Sequence, residues 1–230
     1  MDFTKLVSLI SKEALFFARA DKFDDPFEGS WPKKNVEGRK EHFKKRFETE
    51  NSDKNLSDNI SRMQKTMLTF TAINCWHQND HESAAMWKSY LKSNEGIAVQ
   101  TSFQDLKECL DQESEHDIFL GKVKYIDYQN DYIKSANLLS PYVHKRKSFK
   151  DEKEIRALII KFPEGGNVYE DDPPFENGVY VKIDLDILIN KIFVAPFAPN
   201  WLVDLVQDVL EKYGIDKDVV QSNINSSPVF

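Results

Sequence analysis

The sequence predicts an α+β fold, a single domain over residues 1–230 with a central mixed or antiparallel sheet flanked by helices. Three observations lead there. Short β-type runs mix with helical patterns, yet few of those runs are separated by the full crossover helix of a doubly wound parallel sheet. The 230 residues are 40% hydrophobic and include 16 Phe, which need a sizeable core. Neither an internal repeat nor a low-complexity linker divides the chain.

Each element has its own signal. Asp2 caps an opening helix whose Phe3, Leu6, Val7 and Ile10 share one face. Leu15 to Ala18 reads as a short buried strand. Asp24-Asp25-Pro26 and Gly29-Ser30-Trp31-Pro32 are turn chemistry, so 21–32 is loop. Residues 33–66 are the most charged stretch and hold few apolar anchors. They read as two exposed helices around Asn51-Ser52-Asp53, a charged helical insertion or lid. Met67 to Trp76 suits a central strand with both faces covered. Asp80 then caps a helix from Glu82 to about Leu91 that carries Met86, Trp87 and Tyr90, and Gly96 ends that unit. Ile97 to Thr101 is the next strand. Ser102 and Asp105 make a capping-box-like start for a helix through Leu110. Phe119 to Ile126 is strand-like, with Val123 and Tyr125 on one face. Ile155 to Phe162 is a strong strand signal. Glu164-Gly165-Gly166 turns the chain, and Asn177-Gly178 reads as a hairpin turn before Val179 to Ile183. A short helix from Leu185 to Asn190 leads to a strand at Ile192 to Ala195. Asn200 caps a last helix that ends at Gly214.

Composition excludes several classes. The chain has 31 Lys+Arg against 38 Asp+Glu, a formal net charge of −7, which weighs against non-specific duplex binding. A mean hydropathy of −0.55 and the lack of an apolar run near the length of a membrane span argue against a transmembrane helix. The opening MDFTKLVSLISKEA lacks the basic start and cleavage site of a secretion signal, so the expected location is cytoplasmic. Cys75 and Cys109 have no metal-ligand spacing and read as reduced packing thiols. The phosphate-loop patterns GxGxxG and GxxxxGK[ST] are missing.

Three constellations could carry chemistry. In the first, a loop with Lys145, Arg146 and Lys147 runs into a strand through Glu152 and Glu154. Two residues apart on a strand, these carboxylates share a face and repel, so one must find a cation or take up a proton. Such a pair can stabilise a developing positive charge or polarise a sugar hydroxyl. The bland reading is a solvated strand end paired to nearby Lys and Arg. In the second, Asn74-Cys75-Trp76-His77 feeds a helix holding His81, Trp87 and Tyr90. His77 and His81 have the spacing of metal ligands on a helix, but no HExxH order accompanies them, and no metal is expected. Trp87 and Tyr90 read first as core. In the third, the acidic turn from Asp21 to Glu28 caps turns and pairs with Arg19. A nuclease built on Asp151-Glu152-Lys153 with Asp127 is the generic acidic alternative.

Taken together, these segments resemble the bacterial family catalogued as domain of unknown function 2971. The resemblance rests on Leu15 through Gly29, Cys75-Trp76-His77, Ala85 through Tyr90 with Glu95-Gly96-Ile97-Ala98-Val99, Val123-Lys124-Tyr125, and Phe149 through Arg156 with its Glu-x-Glu-x-Arg pattern. The family layout is in turn similar, at the level of fold, to ADP-ribosyltransferases. That resemblance implies NAD in a cleft between the strand ending at His77 and the strand beginning at Glu154. Glu154 would then bond a ribose hydroxyl and Glu152 would orient a protein or nucleic-acid acceptor. Trp87 or Tyr90 would stack on nicotinamide, and Arg19 or His77 would hold phosphate or ribose. Family members often carry an aromatic-Arg-Tyr strand before the segment matching Met1 to Lys5, so either the start is truncated here or this member lacks the first motif. Two alternatives stand beside the enzyme. One is a non-catalytic interaction protein of a phage-defence or toxin–antitoxin system, using the charged helices as its partner surface. The other is a metal-dependent nuclease.

Overall fold

The first helix starts where the sequence says it should. The Asp2 carboxylate accepts from the Lys5 amide at 2.8 Å, and α1 (Phe3–Lys12) buries Leu6, Leu9 and Ile10. There follow β1 (Ala14–Arg19), α2 (Lys33–Phe47), α3 (Glu50–Met67), β2 (Thr71–His77), α4 (Ala84–Tyr90), β3 (Ile97–Gln100) and α5 (Phe103–Asp111). The chain continues through β4 (Ile118–Lys122), β5 (Lys124–Ile126), β6 (His144–Arg146), β7 (Glu154–Ile160), β8 (Gly178–Lys182), α6 (Leu185–Leu188), β9 (Lys191–Val194), α7 (Asn200–Lys212) and β10 (Val219–Gln221). This computed structural model describes residues 1–228 apart from 48, 49, 91–94, 135, 136, 164, 167, 170 and 171, and the side chains at 44, 46, 47 and 50–55 lie outside the description. The expected junction of the two charged helices and the turn residue Glu164 therefore fall at or beside positions outside it.

The architecture is α+β, with a five-stranded antiparallel sheet in the order β4-β7-β2-β1-β8. The chain divides into two compact units, Met1–Phe16 with Asn79–Glu115 and Tyr180–Phe230, and Phe17–Gln78 with His116–Val179. The boundaries fall inside β1 and β8. The first unit holds a three-stranded sheet, β10-β9-β3, in which β9 runs parallel to β10 and antiparallel to β3. Its apolar side chains include Leu6, Ile97, Leu106, Ile192, Leu202 and Val206, all buried.

The second unit is built on β2 and β7. Their register pairs Ile73 with Leu158, Cys75 with Arg156 and His77 with Glu154. Every residue of β7 except the last is buried, including the charged Glu154 and Arg156, as in a strand covered on both faces. Across β7 lies β4, with Gly121 opposite Arg156. Ile73 and Leu158 form a buried cluster with Ala20 and Tyr142.

Several local expectations shift. The stretch from Phe119 to Ile126 is two strands in different sheets, because the Val123 amide bonds the Glu154 carbonyl at 2.9 Å and redirects the chain to pair β5 with β6. Asn177-Gly178 does not close a hairpin. It delivers β8 to the far edge of the sheet, where the Arg19 amide bonds the Asn177 carbonyl at 2.9 Å. Ser83, rather than Asp80, caps α4, its hydroxyl accepting from the Met86 amide at 3.3 Å. At α7 the residue before the helix is Pro199, and Asn200 is already helical.

Gly29 follows Glu28 in a backbone conformation with φ +63°, where a Cβ would overlap Leu68 Cδ2 and lie 2.8 Å from Tyr142 Cε1. Gly29→Ala is expected to cost about 1–3 kcal/mol, since both the left-handed backbone and the overpacking act against it. Urea unfolding measures this, and a loss within the ordinary surface range of about 0.5 kcal/mol contradicts it.

Candidate functional site

Strand period sets the site. Glu154, Arg156 and Leu158 alternate on one face of β7, so an apolar strand carries two charges into the interior. Arg156 is fully buried and Glu154 is 3% exposed. A buried guanidinium is costly unless every N–H group finds an acceptor. Here Nε donates to Glu154 Oε2, Nη1 to Glu28 Oε1 and to the Tyr142 carbonyl at 2.7 Å, and Nη2 to Glu28 Oε2 at 3.0 Å. Glu28 comes from the acidic turn and is itself buried. Its two oxygens meet the guanidinium as a fork, the strongest common geometry for this pair.

Lys145 extends the network. Its ammonium donates to Glu154 Oε1 at 2.6 Å and to Glu152 Oε2. Glu152 does not continue the strand. It ends a 3₁₀ turn, Lys147–Glu152, and Lys153 follows with φ +42° in the left-handed region. The strand alternation expected for Glu152 and Glu154 is therefore broken, and the two carboxylates converge through Lys145. The Glu154 amide also donates to the Tyr125 hydroxyl at 2.8 Å. His77, opposite Glu154 in the register, has Nδ1 2.6 Å from the Glu152 carbonyl. A carbonyl only accepts, so Nδ1 carries the proton. Nε2 is buried and has no hydrogen-bond partner among the described residues.

Charge counting decides the protonation. Glu28, Glu152 and Glu154 face only Lys145 and Arg156 within this network. Both oxygens of Glu28 and of Glu154 accept from cations, while Lys145 holds one oxygen of Glu152 and leaves the other to carry a proton. Burial, then the neighbouring Glu154, pushes the Glu152 carboxyl well above the usual carboxylate range. Burial also opposes ionisation of Glu154, but the hydrogen bond with Glu152 and the charges of Arg156 and Lys145 outweigh it and hold Glu154 low.

These opposite shifts predict opposite slopes of stability with pH. Glu154, held low in the fold, contributes stability above the unfolded carboxylate pKa of about 4.3, and that stability is lost as pH falls through the folded value. Glu152, raised in the fold, contributes fully below about 4.3 and loses its contribution as pH rises through its raised value. Glu152→Gln is expected to abolish the falling slope on the neutral side and leave the acid limb in place. Urea unfolding from pH 3 to 8 reads both slopes, and an unchanged neutral-side slope in the variant counts against the assignment.

The other expected site residues lie as follows. Register places Arg19, paired with Ala72, on the face of the sheet opposite Glu154. Arg19 is held by Asp21, with Nε at 2.6 Å and Nη2 at 3.0 Å, and by the Phe175 carbonyl at 2.8 Å. Trp87 and Tyr90 belong to α4 in the other unit, where Trp87 Nε1 donates to Glu82 at 3.0 Å and Tyr90 is exposed. The strands ending at His77 and beginning at Glu154 are hydrogen-bonded neighbours, so the expected cleft between them is filled by the sheet ladder. Glu28 was missed as a partner, whereas Lys145 stands in the Lys and Arg loop already read beside the glutamates. The signal for Glu28 was Arg156, a cation in an otherwise apolar strand, which demands buried carboxylates. Among the described residues, no group of three or more His, Cys, Asp or Glu side chains could hold a metal ion. No described helix is long and apolar enough to cross a membrane. Neither a protein-family model, nor a curated protein, nor a solved structure matches the chain.

Proposed function

We propose that the protein is a glycosyl-transfer enzyme of ADP-ribosyltransferase type that uses NAD as a substrate. The observation that carries this reading is the surplus carboxyl of Glu152, raised in pKa at the partly exposed end of a buried network. Perturbed carboxyls of this kind concentrate at functional sites. The choice of NAD comes from the resemblance to the family layout. In the proposed reaction the bond between ribose C1′ and the nicotinamide nitrogen breaks, and nicotinamide leaves neutral with the electron pair. The acceptor's oxygen or nitrogen attacks C1′, and its proton passes to the ionised form of Glu152, a base suited to near-neutral pH. Glu154 is a positioning residue here, because both its oxygens hold cations. It fixes Lys145, which in turn fixes Glu152. The test is nicotinamide release from NAD with candidate protein and nucleic-acid acceptors across pH 5 to 8. A complete lack of release sinks the proposal.

The engagement of Glu154 by two cations also favours a second reading, a non-catalytic interaction protein of a phage-defence or toxin–antitoxin system. In that case the network only stiffens the scaffold, and a specific partner co-purifies from the native host. The nuclease reading has no donor cluster to rest on among the described residues.

A further inference from the structure

We infer that Arg146 forms a phosphate subsite beside Glu152, reading the pyrophosphate of a nucleotide ligand; this rests on the NAD reading above. The guanidinium of Arg146 lies against two rings, with Cζ 4.7 Å from the centroid of Phe27 and 5.1 Å from that of Phe149. One edge is spent on Asp25: Nη2 donates to Oδ1 at 2.8 Å and Nε approaches Oδ2 at 3.5 Å. Asp25 is itself fixed, because Oδ1 accepts from the Phe27 amide at 3.0 Å. The arginine is therefore oriented before any ligand arrives, which lowers the ordering cost of binding.

What remains is the other edge. Nη1, with the second hydrogen of Nη2, makes a two-pronged fork that matches phosphate geometry. Among the described residues Nη1 has no hydrogen-bond partner. The Arg146 side chain is 35% exposed, while that of Asp25 is 7% exposed, so the arginine is the member of the pair that solvent reaches. The position relative to Glu152 follows from Phe149. Lys145 Nζ, which holds Glu152, is 4.8 Å from the centroid of the same ring that Arg146 stacks on. Residues 145–153 hold five cations, of which Lys145 is paired with Glu152 and Glu154, Arg146 with Asp25 and Lys147 with Asp131. Lys150 is exposed in the same segment.

Calorimetric titration with ADP-ribose, inorganic pyrophosphate and adenosine tests this. ADP-ribose and pyrophosphate are expected to bind and to compete with each other, and adenosine is expected not to compete with pyrophosphate. Arg146→Ala and Arg146→Lys should each weaken ADP-ribose at least tenfold, because lysine keeps the charge and loses the fork. Wild-type protein that binds neither probe, or a folded Arg146→Lys variant that binds normally, overturns the subsite. If Arg146→Ala fails to fold, competition by pyrophosphate on the wild type decides alone. Binding through Arg146 without any nicotinamide release removes the transferase reading and leaves the subsite standing. Nicotinamide release with an unchanged KM in Arg146→Lys does the reverse.

Discussion

Arg156→Met is expected to destabilise the fold by about 3–5 kcal/mol, the range for breaking a buried ion pair from one side. The cause is not the lost attraction alone. Glu28 and Glu154 are 6% and 3% exposed, and without the guanidinium they would stay buried as uncompensated carboxylates or take up protons. The Tyr142 carbonyl would also lose its donor. The same charge logic predicts partial recovery in the double variant Arg156→Met with Glu28→Leu, which removes one stranded carboxylate. By contrast, the exposed Lys107–Asp111 pair on α5 should be worth under about 1 kcal/mol. Urea unfolding of all three variants at pH 7 gives the comparison. An Arg156→Met loss no larger than that of Lys107→Ala would mean that the network is not what holds β7 to the acidic turn.

This contrast bears on what the sequence made legible. Elements with a local cause were readable: Asp2 and Ser102 cap their helices by side-chain bonds to Lys5 and Asp105, and the apolar run of β7 sits inside the sheet. The break at Val123 was not readable, because it depends on a bond to Glu154, distant in sequence. Nor was the placement of β8, since Asn-Gly signals a turn but not which strand receives the chain. At the site, the sequence reading was that one of the two carboxylates must find a cation or take up a proton, and both Glu152 and Glu154 accept from Lys145. The geometry behind it was different. A non-glycine left-handed residue, Lys153, takes Glu152 out of the strand, and that conformation has no sequence signature. Glu28, which completes the network, sits in an acidic segment whose charges read as turn caps and a pair with Arg19.

Glu152→Gln is expected to lower the transfer rate by about 10²–10⁴-fold, the usual worth of a positioned general base. The substitution is well chosen because glutamine copies the protonated carboxyl in shape and keeps an oxygen for Lys145, so folding should survive it. The pH profile separates catalysis from structure. In the wild type, kcat/KM should rise with pH as Glu152 ionises, with its midpoint above the ordinary carboxylate range, because burial and Glu154 raise that carboxyl. In the variant the rise should vanish, leaving a flat, low profile. Glu154→Gln should behave differently. It leaves Arg156 and Lys145 each short of one anionic acceptor, so its loss of rate should come with a loss of stability, and the midpoint for Glu152 should fall as the neighbouring negative charge disappears. A Glu152→Gln variant with full activity, or one whose profile keeps the wild-type midpoint, would assign the proton transfer to another group and reduce the network to a structural clamp.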